Sequence, residues 1–306
     1  NAGVTRPILL TSPLPPQDVT TAAGAGLTAS ISDLAGLARW REAAETTGGL
    51  DFHVEVDTGM GRAGFDWRET SQWAPVLSSG SSRAKWTGIY THMHSADAAD
   101  AMATETQWQR FQDSLAQLPV SREDLMVHAA NSATALRWPG YAADAVRPGI
   151  FLYGGRVTDP SFGEGVPDPA AVASVRARVV LVRDVPPGGT LGYGATHVAR
   201  GWERWATLAI GYGDGLPRVL GNRGCALLHG RRVPIVGRIS MDMTVVDITG
   251  APNVSAGDVA TLIGRDGDQC ITVDEVAQQA GTISYEILTG LTPRLPRIEQ
   301  DTHAEN

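Results

Sequence analysis

Phe52-His53-Val54-Glu55-Val56, running on into Asp57 and then Arg62, is a short apolar run that closes on polar residues. The same unit recurs through the first half of the chain. Pro7-Ile8-Leu9-Leu10, Leu27-Thr28-Ala29-Ser30, Trp86-Thr87-Gly88-Ile89-Tyr90, Leu125-Met126-Val127-His128 and Ile150-Phe151-Leu152-Tyr153 bring the candidate strands to six. Between them lie helical patterns, such as Ile31 to Glu45 and Thr104 to Leu118, polar on one side and apolar on the other. Strand and helix in alternation are the rhythm of a parallel sheet. Polar residues gather where the runs end: Asp57 and Arg62, His92 and Asp97, His128 and Asn131, and Arg147. In a (β/α)8-type barrel the chemistry sits at those C-terminal strand ends. Residues 1–165 are therefore expected to form βα units around a parallel sheet of about six strands, which would leave an eight-stranded α/β barrel incomplete.

Around Gly163 to Pro169 the chain becomes rich in glycine and proline, and the rhythm changes. Closely spaced runs follow: Val175 to Val182, Ala206 to Ile210, Cys225 to Leu228 turning at His229-Gly230, Thr244 to Ile248, and Val259 to Ile263. With little helical pattern among them, residues 166–306 are expected to form a mostly antiparallel β domain.

Composition narrows the function classes. A formal charge of -8, with no long basic run, argues against a nucleic-acid surface. No apolar stretch approaches the roughly 18 residues of a membrane span. Cys225 and Cys270 are far apart and lack metal-ligand spacing, which fits a reducing cytoplasm. No secretory signal opens the chain, and a first residue, Asn1, that is not Met suggests an upstream part. Of the 25 Lys and Arg residues only Lys85 is a lysine, so any lysine chemistry has one candidate.

Several segments, in one order, resemble the alanine racemase family. They are Val56 to Gly64 (VDTGMGRAG), Tyr90 to Asp97 (YTHMHSAD), His128 to Ala133 (HAANSA), Val146 to Gly154 (VRPGIFLYG), Ile210 to Gly215 (IGYGDG), Val236 to Asp242 (VGRISMD) and Thr282 to Glu286 (TISYE), closing with Pro293-Arg294 and Pro296-Arg297. The resemblance implies a fold-type III pyridoxal 5'-phosphate enzyme, barrel first and β domain second. It also implies a homodimer whose sites borrow residues from the partner subunit. The activity implied is interconversion of L- and D-alanine in the cytoplasm, supplying D-alanine for peptidoglycan.

Racemisation takes a proton from Cα and returns one on the opposite face, so two bases are needed. The family pattern makes one of them the lysine that holds the cofactor and the other Tyr212. A phenol, with an ordinary pKa of about 10, needs cations or donors nearby to act as a base. His92, as a hydrogen-bond relay, and Arg147 are the neighbours that the resemblance implies. Arg147 is expected at the cofactor's pyridine nitrogen, where a guanidinium donates a hydrogen bond and keeps its proton. Backbone N–H groups of Gly149 and Ile150, and the hydroxyls of Ser132 and Tyr285, are expected at the cofactor phosphate. His128 is expected to pack beside the ring. Arg62 is placed near the cofactor's phenolic oxygen and the substrate carboxylate, and Met241 would offer its backbone N–H to that carboxylate from the partner.

Some family members carry a carbamylated lysine where this chain has Glu55. Alternation puts Glu55 on the face of Asp57, and the glutamate is expected to supply the negative charge beside Arg62. His92, His94 and Asp97 are close enough in sequence to weigh as a metal site. That reading is set aside, and no metal is expected. His53, His197, His229 and His303 read as ordinary solvated or packing residues.

The family's opening lysine-bearing strand has no counterpart here. Lys85 precedes its strand by seven residues relative to His92, roughly 23 Å at the rise of a strand, so it stands at the wrong end. The chain alone is expected not to racemise, and the complete protein to be active. Two alternatives stay open: a non-catalytic module kept for dimerisation or cofactor binding, and a racemase of another small amino acid such as serine.

Overall fold

The computed structural model describes residues 3–80, 83–157, 166–251 and 253–299. They form two compact units, the first built from residues up to Gly149 together with Val157, Val166 and Pro167, the second from Ile150–Arg156 and the chain from Asp168 onward. The boundary expected near residue 165, and the site of His303, lie outside the described residues.

The first unit is α/β with parallel strands. Its elements are α1 (Val19–Gly24), β1 (Ala29–Ile31), α2 (Leu34–Thr47), β2 (Leu50–Asp57), β3 (Phe65–Asp66), α3 (Thr70–Ser78), β4 (Ala84–Tyr90), α4 (Met102–Leu115), β5 (Met126–His128), β6 (Ala130–Asn131), α5 (Ser132–Arg137) and β7 (Val146–Arg147). The order β1-β2-β4-β5 is parallel throughout, β3 branches from β2, and β6 pairs with β7. Local chemistry sets the helix limits. Asp33 accepts the Gly36 N–H at the start of α2, and Gly48, at φ 91°, stops it in the left-handed region.

Two of the six expected strands fare differently. Pro7 to Leu10 contributes only a bridge from Leu9 to Thr28. Ile150 to Tyr153 is not a strand but most of α6 (Gly149–Leu152), a single turn closed by Tyr153 N–H on the Ile150 carbonyl. A four-residue apolar run has no period to tell strand from helix. Pro148 just before it suits a helix start, and Gly154, at φ 87°, suits its end.

In β2 the residues on both faces are buried, as in a parallel sheet covered on both sides. Phe52, Val54 and Val56 share one face, while His53, Glu55 and Asp57 share the other. Register aligns Ser30 with His53, His53 with Gly88, Glu55 with Tyr90, and Tyr90 with His128. One face of the sheet is thus apolar and the other polar, although its side chains are buried.

The second unit comprises β8 (Val175–Val185), β9 (Thr190–Leu191), β10 (His197–Val198), β11 (Glu203–Leu208), β12 (Cys225–Leu228), β13 (Arg231–Val236), β14 (Thr244–Asp247), β15 (Val259–Asp266), β16 (Gln269–Ile271), α7 (Val273–Ala280) and α8 (Ser284–Gly290). Its antiparallel sheet runs β12-β13-β14-β11-β8-β15-β16, and a further β12–β15 pairing closes a ring of strands around an apolar core. His229 and Gly230, at φ 52° and 72°, make the tight β12–β13 turn. The sequence reading missed α7 and α8. Thr272 caps α7 by accepting the Glu275 N–H, and Gly281 ends it. That Thr-x-x-Glu spacing was the available signal.

Candidate active site

Beyond the C-terminal end of β2 the chain folds into a glycine loop. The Asp57 carboxylate accepts the N–H groups of Gly59 and Gly61, 2.9 and 3.1 Å away, while both glycines take positive φ. Arg62 leaves this loop exposed. From α4, Arg110 donates to the Thr58 carbonyl at 2.8 Å, and buried Gln107 donates to Thr58 Oγ1 and to the His92 carbonyl. Gln107 therefore ties the ends of β2 and β4 together and Arg110 holds Thr58 to α4, two side chains to which the sequence reading assigned no role.

Arg147, at the end of β7, reaches back over the polar face of the sheet. Its Nη1 lies 2.6 Å from His128 Nδ1, its Nη2 donates to the Thr91 carbonyl at 2.8 Å, and its guanidinium carbon sits 4.9 Å above the Tyr90 ring. No described residue accepts from its Nε–H. The His128 ring stacks on Tyr90 at 4.9 Å, and its Nε2 lies 2.9 Å from His53 Nδ1. Tyr90 in turn hydrogen-bonds Ser30 Oγ at 2.5 Å.

These contacts correct one expectation. His53 is no ordinary packing residue, since it is only 7% exposed and sits inside the network. His128 commits both ring nitrogens to protein groups and so supports Arg147.

Burial governs the charges here. Desolvation, with Arg147 and Arg62 adding to it, pushes His92 down to about 4. The same cause lowers His53 to about 4, against the opposing charge of Asp51, and His128 to about 3. Burial also lowers Arg147 and raises Tyr90. Glu55, 4% exposed, is raised by burial and held back by Tyr90, Ser32, Arg62 and Arg147 in that order. Ser32 Oγ donates to it at 3.3 Å. Arg62 acts on Glu55 through space, without the direct ion pair expected.

The remaining residues of the first unit fall around this centre. Asn131 caps α5 by accepting the Thr134 N–H and donates to the Met93 carbonyl, with Ser132 buried beside it. Gly149 opens α6 with open space where a Cβ would stand. Lys85 is the second residue of β4 rather than preceding the strand as expected, in register with Asp51, at the end away from Tyr90.

In the second unit Tyr212 starts a short 3-10 turn ending at Asp214. The Tyr212 N–H donates to the Ser240 carbonyl at 3.0 Å and the Gly213 N–H to the Met241 carbonyl at 2.8 Å, so Tyr212 and Met241 share one surface. Both are exposed, at 41% and 51%, and the Met241 N–H has no partner among the described residues. Arg294 braces the turn through Asp214 at 3.2 Å and pairs with Asp242. Tyr285 lies exposed on α8, and Ile150 is buried in α6. Elsewhere, His197 pairs with Glu203 and His229 with Asp258.

The donors suit pyridoxal phosphate. A half-buried guanidinium with one N–H to spare fits a ring nitrogen, since it can only donate.

Comparison with known proteins gives one pattern. Residues 1–157 match the alanine racemase N-terminal domain and residues 172–299 the alanine racemase C-terminal domain. The chain is 40% identical over 246 residues to the alanine racemase of Halothermothrix orenii, covering 80% of this chain and 64% of that protein. Against the alanine racemase of Carboxydothermus hydrogenoformans it is 37% identical over 303 residues, covering 97% of this chain and 80% of that one. Among solved structures, alanine racemase from Bacillus anthracis with bound L-Ala-P aligns with a TM-score of 0.88 at 33% identity, covering 98% of this chain and 78% of that chain. Alanine racemase from Bartonella henselae with covalently bound pyridoxal phosphate aligns at 0.83 and 30% identity, over 95% and 78%.

Proposed function

This chain belongs to the alanine racemase family, and from that premise we propose that it interconverts L- and D-alanine with pyridoxal phosphate as cofactor. The observation that carries the reading is the spare Nε–H of Arg147, whose other nitrogens are tied to His128 and Thr91. Nothing in the comparisons favours a non-catalytic module or a different amino acid.

Pyridoxal phosphate, when bound, draws the charge left at Cα into its conjugated ring. Arg147 donates to the ring nitrogen without giving up its proton, which limits that withdrawal and disfavours side reactions such as transamination. Tyr212 takes or returns the Cα proton on one face, with His92 and Arg147 as its nearby donors in the assembled site. Arg62 and the Met241 N–H hold the substrate carboxylate. Gly149, Ile150, Ser132 and Tyr285 hold the phosphate. The exposure of Tyr212 and Met241 on one surface supports a homodimer in which they serve the partner's site.

A second base is required on the other face. Lys85, at the remote end of β4, does not fill that role, so we propose that the 306 residues by themselves do not racemise. Among the described residues no helix is long and apolar enough to cross a membrane. The free thiols of Cys225 and Cys270 suit a reducing compartment, and the reading is of a cytoplasmic enzyme that supplies D-alanine for peptidoglycan. The test is direct. Full-length protein reconstituted with pyridoxal phosphate should convert either alanine enantiomer to the racemate, and failure on both would remove the proposal.

A further inference from the structure

The network below Arg147 has a direction that hydrogen-bond chemistry fixes. A guanidinium carries donors only. With Arg147 Nη1 at 2.6 Å, His128 Nδ1 must therefore be the bare, accepting nitrogen, and the ring proton sits on Nε2. From there it points along the 2.9 Å contact to His53 Nδ1, which accepts in turn. The remaining proton of His53 lies on its Nε2. Donation thus runs one way through two neutral rings, from Arg147 through His128 of β5 to His53 of β2.

The fold makes room for this arrangement. Gly88 of β4 lies in register with His53, and a Cβ at that position would fall 2.5 Å from both ring nitrogens of the histidine. Only glycine leaves the ring its seat. Asp51, Arg147 and Asp144 are the charged groups acting on the two rings, and burial outweighs the acidic ones, so both rings stay neutral near pH 7.

We propose that His53 is a positioning residue for Arg147. By accepting the His128 Nε2–H it selects the tautomer that leaves Nδ1 open to the guanidinium, and so keeps the arginine's Nε–H available to the cofactor ring nitrogen. Without that acceptor, His128 either buries an unpaired N–H or shifts its proton to Nδ1, where it would oppose the N–H of Arg147. The inference rests on the assignment of Arg147 to the cofactor made above.

The test uses the full-length holoenzyme and its apo form. Nitrogen-15 NMR of the wild type should show His128 protonated at Nε2 and bare at Nδ1; a proton on Nδ1 would overturn the inference before any variant is made. His53→Phe fills the ring's volume without an acceptor, and His53→Gln restores an acceptor through its amide carbonyl. For His53→Phe the single tautomer of His128 should be lost, the pyridoxal phosphate dissociation constant should rise about tenfold, and kcat should fall about tenfold with KM within about twofold. His53→Gln should stay within about threefold of wild type.

A residue that only fills space would lower the unfolding midpoint and leave the His128 tautomer and cofactor affinity unchanged. Seeing that with His53→Phe would overturn the inference. Arg147→Lys separates the two levels. If it leaves cofactor affinity unaltered, the assignment of Arg147 falls and takes the inference with it. If it weakens affinity while His53→Phe does not, only the role of His53 falls.

Discussion

Arg294 reaches Asp214 with its Nε at 3.2 Å and Asp242 with its Nη2, so one guanidinium ties the turn bearing Tyr212 to the loop bearing Met241. Around it, the Thr292 N–H donates to the Asp214 carbonyl at 3.1 Å, and the Asp214 carboxylate accepts the Gly211 N–H at 2.9 Å. The turn is held from both sides. Arg294→Met keeps the stem and removes the charge. Turnover should fall about tenfold to a hundredfold, because small misplacements of a reacting group are costly. The unfolding midpoint should fall only modestly, since the pair with Asp242 is exposed and the buried Asp214 carboxylate keeps the Gly211 N–H as a partner. Steady-state kinetics beside thermal unfolding checks both.

Tyr212→Phe removes one of two bases and nothing else. Racemisation should drop by about 10²- to 10⁴-fold, the usual reach of general acid–base catalysis. The loss should be unequal for the two enantiomers when Cα exchange with deuterated water is followed by NMR, because each face of Cα has its own base. Equal residual exchange from L- and D-alanine would remove Tyr212 from the mechanism.

Glu55 is a buried carboxylate with Ser32 and Tyr90 against it and two arginines acting on it through space. Glu55→Gln keeps the shape and deletes the countercharge of Arg62 and Arg147. The KM for alanine should rise about fivefold or more, a modest change because no direct ion pair is lost. An unchanged KM and kcat would make the glutamate a bystander.

Acid should destabilise the first unit earlier than carboxylates alone would require. His53 and His92 are lowered to about 4 and His128 to about 3, while an unfolded histidine titrates near 6.5. Above pH 6.5 neither state takes up protons at these rings, and their contribution is flat. Below it the unfolded chain binds protons that the folded one refuses, so stability declines until the folded values are reached. The slope is at most roughly 1.4 kcal/mol per pH unit for each ring, with His53 and His128 titrating as a pair. Urea midpoints measured from pH 7.5 to 5 should fall below 6.5, and His92→Asn should flatten part of that fall.

Much of this was legible in the residues. Asp57, the Gly59 to Arg62 loop, His92 and Arg147 stand at or just beyond strand ends, Tyr212 opens a turn, and their segments carry the family resemblance. The change from strand–helix alternation to closely spaced strands likewise separated an α/β half from a β half. What stayed hidden depends on contacts between strands. His53 looks like any polar residue in a strand until register brings it beside Gly88 and His128. Polar groups inside strands are costly when unpaired, which argued for chemistry only at strand ends, but a connected network lowers that cost. Gln107 and Arg110 lie on an ordinary amphipathic helix, and only the packing of α4 turns them onto Thr58 and His92. Arg294 stood in a matched segment with no task assigned. The turn it braces is far away in sequence.

The most direct measurement follows the rotation of polarised light by L-alanine in the presence of full-length protein and pyridoxal phosphate, beside Arg147→Lys and Tyr212→Phe. The account predicts decay of the signal to zero for the wild type, with the equilibrium ratio of enantiomers equal to one, and losses in both variants. A wild type that binds the cofactor tightly yet leaves the rotation constant would contradict it.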